Sequence, residues 1–189
     1  MMPYPNLHTV ILASASPRRR ELLKTLNIDF LTQVAEIDET PQVDEAPKVF
    51  AERMAVEKAA AVDADPETTV IAADTIVVAD NLILGKPADE AHAVEMLTSL
   101  SGKTHEVITA VCVKRGSKCR VISVSTEVVF RTLTQDEMHA YVASGCPMDK
   151  AGAYAIQGGA AHMVRAINGS YTNVVGLPLC ELHEILLSF

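Results

Sequence analysis

Ser14, Ser16, Arg18 and Arg19 lie within "ILASASPRRREL", residues 11–22, where an apolar run meets a helix start. Free backbone N–H groups and the helix dipole favour an anion at such a point. Hydroxyls and guanidinium forks are strong donors to phosphate oxygens. Arg18, Arg19 and Arg20 repel one another and oppose the dipole, so a phosphate-like ligand explains them better than a solvated, capped first turn. Asp74 interrupts the apolar, β-branched run "TTVIAADTIVVAD", residues 68–80. A carboxylate there is costly unless it is paired, metal-bound or at a strand end. A bulge or strand end, with Thr75 bonding locally, competes with a functional role. Function is preferred because buried acids are uncommon without a partner. Glu36, Asp38 and Glu39 form an acidic loop, and any of them can contribute a metal ligand. Mg²⁺ takes one or two carboxylates plus waters and phosphate oxygens. Taken singly, each is more simply a solvated acid. Lys58 and Lys86 can neutralise phosphate charge, and each is weak on its own.

These residues need elements to hold them. Val10 to Ala13 read as a buried strand, with Ser16 as N-cap and Pro17 as first helical residue. Leu22, Leu23 and Leu26 share a helical face, and Asn27 can end that helix. Phe30 to Val34 suit a second strand. Pro47 opens a long helix to about Ala64, with Lys58 in its second half. The Asp74 strand turns at Asp80-Asn81 into Leu82 to Leu84, followed by Gly85-Lys86-Pro87. A helix is expected from about Ala88 to Leu100. Val107 to Val113 and Val121 to Phe130 flank Arg115-Gly116-Ser117-Lys118 as a hairpin. Thr134 to Glu137 is a capping box. Met163 to Ile167 and a helix after Pro178 complete the chain. Strands and helices alternate, which predicts an α/β fold around a mostly buried mixed sheet.

At 189 residues the chain fits one domain, 1–189, with room for two lobes. Sixteen Lys and Arg against 24 Asp and Glu give a net charge of -8. That argues against a generic nucleic-acid or acidic-membrane surface. No stretch approaches the ~20 apolar residues of a membrane span. Cys112, Cys119, Cys146 and Cys180 form no CxxC pair and no zinc-like spacing with histidine. They read as reduced cysteines, and the cytoplasm is the expected location. "SGKT" at Ser101 to Thr104 is not a P-loop, because Leu97 stands where glycine is required and a helix replaces the loop.

The stretches "LASASPRR", "EKA" at Glu57 to Ala59, "AADTIV", "LGKP", "LSGKTHEVITAV", "MDKAGAYAIQG" and "INGSYTNVVGLPL" occur in one order. From Leu12 to Leu187 the sequence resembles the Maf family of nucleoside triphosphate pyrophosphatases. Arg20 and the residues before Thr9 fall outside the family pattern. The resemblance implies an elongated mixed sheet flanked by helices, a cleft between two lobes as in Maf and ITPase-like proteins, and a homodimer. It implies hydrolysis of a nucleoside triphosphate to monophosphate and pyrophosphate with a divalent cation, Mg²⁺, Mn²⁺ or Co²⁺. By resemblance Asp74 is the catalytic base. Ser14, Arg18, Glu39, Lys58 and Lys86 engage phosphate and metal, with Glu39 and Asp74 the metal candidates. Arg18, Thr75 and Gln157 fall on the specificity positions, and the IQG motif resembles the dTTP- and UTP-preferring branch. Modified pyrimidine nucleotides and a link to arrest of cell division follow from the resemblance alone. Two other classes stay open: a house-cleaning hydrolase acting on purines such as ITP, and a non-enzymatic nucleotide-binding regulator.

Overall fold

The computed structural model describes residues 4, 6–34 and 36–189. Strand β1 (Val10–Ala13) is buried throughout, which suits an unbroken apolar run in a parallel sheet. Helix α1 (Pro17–Lys24) starts as its sequence predicts. Ser16 is the N-cap, its Oγ accepts from the Arg19 N–H at 3.4 Å, and Pro17 occupies the first turn. Strand β2 is only Leu31–Thr32, shorter than the expected 30–34. It is the sheet's edge, both residues are exposed, and only two register pairs tie it to β1. Helix α2 (Pro47–Ala60) stops four residues before the expected Ala64. The Ala61 N–H closes the last turn on the Glu57 carbonyl at 2.9 Å, and Val62 beyond it is buried.

Strand β3 (Thr69–Ala79) runs unbroken through Asp74 and is parallel to β1. The carboxylate therefore marks neither a bulge nor a strand end. Asp80 and Asn81, at φ 49° and 62°, form the tight turn to β4 (Leu82–Leu84), antiparallel to β3. Helix α3 (Glu90–Leu100) begins later than Ala88 because Asp89 caps it, accepting from the His92 N–H. Strands β5 (Thr104–Arg115) and β6 (Lys118–Phe130) extend the expected hairpin at both ends. The capping box at Thr134 opens α4 (Gln135–Ala143). Strand β7 (Val164–Asn168) pairs antiparallel with β6, and α5 (Tyr171–Val175) and α6 (Leu179–Ser188) follow.

The result is a seven-stranded mixed sheet in the order β2-β1-β3-β5-β6-β7, with β4 on β3. The chain divides into two compact units. The first holds the residues up to Asp74, with Thr109–Val124 and Gly176–Phe189. Its core includes Leu12, Leu23, Met54, Ile71, Val111, Leu177 and Leu182, each almost fully buried. The second holds Thr75–Ile108 and Ser125–Val175, around a core that includes Leu97, Leu100, Phe130 and Met163. Within it Asn173 is fully buried and donates to the Val107 carbonyl and Thr126 Oγ1, both at 2.9 Å. The "SYTNVVG" motif thus ties α5 to β5 and β6. Among the described residues no helix is long and apolar enough to cross a membrane.

Candidate active site

The first unit gathers most of the chemistry around Lys58. The buried positions of α2 follow two rows, Phe50–Met54 and Ala51–Ala55–Ala59, and Lys58 continues the first of them. An ammonium is thereby directed onto a face otherwise made of apolar side chains. It finds two carboxylates. Lys58 Nζ lies 2.6 Å from Asp74 Oδ1 and 2.8 Å from Glu39 Oε1. The Lys58 and Asp74 side chains are each 12% exposed, while that of Glu39 is 49% exposed. A strand from the sheet centre, the last turn of a helix and a surface loop converge on one cation. Such a pair is weak evidence for stability, because desolvation offsets much of the attraction. It is better evidence that charge is wanted there.

Beside it, Arg19 is clamped. Its Nε donates to the Gly176 carbonyl at 2.7 Å and its Nη1 to Ser14 Oγ at 3.3 Å. Ser14 Oγ also accepts from the Ser16 N–H at 3.2 Å. Burial lowers the Arg19 pKa from its ordinary value, Asp74 opposes that shift, Arg18 adds to it and Glu39 opposes it. Arg19 is thus within electrostatic reach of both carboxylates. The structure brings Arg19, rather than Arg18, against Ser14. Arg18 is half-buried on the same first turn, and Arg20 is exposed.

Three sequence-predicted residues belong to the second unit. Thr75 follows Asp74 in β3 and is half-buried. Lys86 is exposed, and its neighbour Gly85 accepts from the Gly152 N–H at 3.0 Å. Only glycine serves at 152, because φ is +66° and a Cβ would stand 2.9 Å from Val77. The "MDKAGA" motif therefore anchors the Gly85-Lys86-Pro87 turn. Gln157 is exposed in a turn closed by Gly158 N–H to the Ala155 carbonyl at 2.9 Å. Tyr141 of α4 holds that turn, its hydroxyl accepting from the Ala155 N–H.

The acidic loop is ordered by residues that the sequence reading passed over. Arg53 of α2 grips Glu45 with two bonds of 2.7 Å, and also bonds Glu57 and the Thr40 carbonyl. The four-residue spacing of Arg53 and Glu57 was the available signal. Of the loop acids, Glu36 is exposed, Asp38 Oδ1 accepts from the Thr40 N–H, and only Glu39 reaches Lys58. Among the described residues no group of three or more His, Cys, Asp or Glu side chains comes together. Glu39 and Asp74, on one ammonium, fit a hard cation that completes its shell with phosphate oxygens and water.

A mixed sheet, a capped helix entrance that carries three arginines and a carboxylate–lysine–carboxylate cluster define an α/β protein with charge of both signs concentrated in its first unit. The fold has a solved counterpart in the Ham1 protein of Coxiella burnetii. The two align over 97% of this chain and 100% of that one, with a TM-score of 0.52 and 16% identity, a likeness of fold. The chain belongs to the Maf family: the family described as Maf-like protein matches residues 9–189. It is 56% identical over 182 residues to a dTTP/UTP pyrophosphatase of Geobacter sulfurreducens, covering 94% of each chain. It is 54% identical over 187 residues to the dTTP/UTP pyrophosphatase of Geobacter metallireducens, covering 96% of each. Against that of Escherichia coli O157:H7 it is 48% identical over 183 residues, covering 96% of this chain and 93% of the other.

Proposed function

We propose that this chain is a metal-dependent dTTP/UTP pyrophosphatase, releasing the nucleoside monophosphate and pyrophosphate. The observation that carries the reading is Lys58 held between Asp74 and Glu39, with Arg19 beside them, in a chain 56% identical to an enzyme of that name. Water must attack a phosphorus crowded by negative oxygens. One P–O bond forms to the water oxygen, and the bridging P–O bond to the departing pyrophosphate breaks. Asp74 orients the water and accepts its proton. Arg18, Arg19, Lys58 and Lys86 offset the charge of the triphosphate, and Ser14 adds a hydroxyl donor. Glu39 and Asp74 would hold the divalent cation, which lowers the repulsion at phosphorus and stabilises developing charge.

Gln157 and Thr75 are assigned to the base. Thymine and uracil present an N–H between two carbonyls, and a glutamine amide can pair with half of that edge. Cytosine exchanges one carbonyl for an amine and lacks the ring N–H, so the same amide meets mismatched groups. Losing one such hydrogen bond costs ~0.5–1.5 kcal/mol, roughly two- to tenfold. The exposed turn at 157, followed by Gly158 and Gly159, is open to such a contact. Homodimerisation and a cytoplasmic location belong to the same reading and rest on the family resemblance. The test is a nucleotide panel with detection of pyrophosphate. dTTP and UTP exceeding CTP, ATP and ITP supports the proposal, and a preference for purines refutes it.

A further inference from the structure

We propose that Arg53 is a positioning residue for Glu39: it fixes the acidic loop to α2 and so sets where the Glu39 carboxylate stands. The proposal rests on the reading of Glu39 given above. Thr40, the residue after Glu39, is held on both sides. Its N–H donates to Asp38 Oδ1 at 2.9 Å, and its carbonyl accepts from Arg53 Nη2 at 3.1 Å. The same Nη2 donates to Glu45 Oε2 at 2.7 Å, and Nε donates to Glu45 Oε1 at 2.7 Å. Glu45 Oε2 in turn accepts from the Gln42 N–H at 2.9 Å. Arg53 Nη1 donates to Glu57 Oε1 at 3.2 Å, which aims the guanidinium along the helix.

One planar fork therefore ties both ends of the segment 40–45 to a single rigid element. Lysine cannot reproduce this, having one nitrogen and no fork. The site and its anchor share that element: Lys58 lies five residues beyond Arg53, roughly 7.5 Å of helix rise. Successive loop residues, Glu39 and Thr40, thus bond to two fixed points of α2. The Arg53 side chain is 20% exposed and that of Glu45 only 5%, so water competes poorly for the bidentate pair. Bonded to Arg53, the Glu45 carboxyl titrates at about 2, well below the ordinary carboxylate range. A carboxylate that must share a cation with phosphate tolerates little displacement, and misplacement by ~1 Å can cost ~10²-fold in rate.

The experiment compares wild type, R53Q, R53K, E39Q and R53Q/E39Q by kcat/KM on dTTP with Mn²⁺. Amide hydrogen exchange of the same proteins is followed by peptide mass. R53Q is expected to lower kcat/KM ~10- to 100-fold, as loss of groups that orient metal ligands does. R53K is expected to recover part of that. Exchange in R53Q should rise in the segment 36–45 and stay unchanged in β3 and β5. The double variant should match E39Q within about twofold, because Arg53 acts through Glu39. The proposal is overturned if E39Q is impaired while R53Q is not. It is also overturned if the two losses multiply, or if exchange rises across the whole chain, which marks a general stabilising role. If E39Q turns over like wild type, the assignment of Glu39 itself fails, and the proposal falls with it.

Discussion

Asp74→Asn separates the chemistry of the site from its architecture. Asparagine preserves the shape and one acceptor, and removes the charge and the proposed base. Breaking a buried ion pair costs ~3–5 kcal/mol when it strands the partner charge. Here Lys58 is not stranded, because Glu39 remains 2.8 Å away and the amide oxygen stays in reach. The loss should be nearer that of one charged hydrogen bond, about 1.5–3 kcal/mol. For a chain of this size that lowers Tm by roughly 3–12 °C, at ~2–4 °C per kcal/mol. Turnover should fall much further in relative terms, by at least ~10²-fold, or about 2.7 kcal/mol of barrier. The assay is pyrophosphate release from saturating dTTP with Mn²⁺, alongside thermal melting by circular dichroism. A folded variant retaining near wild-type turnover would leave Asp74 as a structural acid with no part in the chemistry.

The Arg19 clamp predicts that R19A loses most of the thermal stabilisation given by dTTP with Mn²⁺, and R18A a substantial part; nucleotide shifts equal to wild type in both would remove the arginines from the ligand. Q157A should narrow the dTTP-over-CTP ratio ~2- to 10-fold while leaving Tm within a few degrees, and an unchanged ratio counts against the pairing argument. His105 is buried, its Nε2 is 2.7 Å from the Tyr154 hydroxyl, its Nδ1 has no partner among the described residues, and burial lowers its pKa from 6.5 to about 4. Between those values the unfolded chain binds a proton that the native state refuses, so this contribution is whole above about pH 6.5 and declines as pH falls toward 4. Urea titrations at pH 7 and pH 5 should show ~2 kcal/mol more pH sensitivity in wild type than in H105Q, and equal sensitivity would show that His105 is not the group.

Much of the architecture was legible because local chemistry and global fold agree. Ser16-Pro17 and the Thr134 box announce helix starts through capping chemistry, and both hold. Asp80-Asn81 announces a tight turn, and both residues adopt positive φ. The errors lie where tertiary context decides. Strand β2 is cut to two residues by its edge position, and α2 ends early at Ala60. In the site, Asp74 was legible as a carboxylate in an apolar strand, and it has the cationic partner that burial demands. That Lys58 reaches both Asp74 and Glu39 was not legible, since charge pairing across 16 and 19 positions leaves no periodic trace. The clamp of Gly176 on Arg19 was hidden for another reason: a backbone carbonyl carries no side-chain signal. Arg53 was overlooked because an arginine four residues from a glutamate reads as an ordinary solvated pair.

The central claim is that the Asp74–Lys58–Glu39 cluster, with the arginines at the α1 entrance, serves pyrimidine triphosphate hydrolysis with a divalent cation. The most direct test is turnover of dTTP, UTP, CTP, ATP and ITP by metal-stripped protein, with Mn²⁺ restored or with EDTA in excess. Products are identified by chromatography and pyrophosphate is measured separately. Expected are dTMP and UMP in equimolar amounts with pyrophosphate, dependent on Mn²⁺ and abolished by EDTA, with dTTP and UTP well ahead of the others. Release of orthophosphate with a nucleoside diphosphate, full activity in EDTA, or no turnover of any nucleotide with Mn²⁺, Mg²⁺ or Co²⁺ would contradict it.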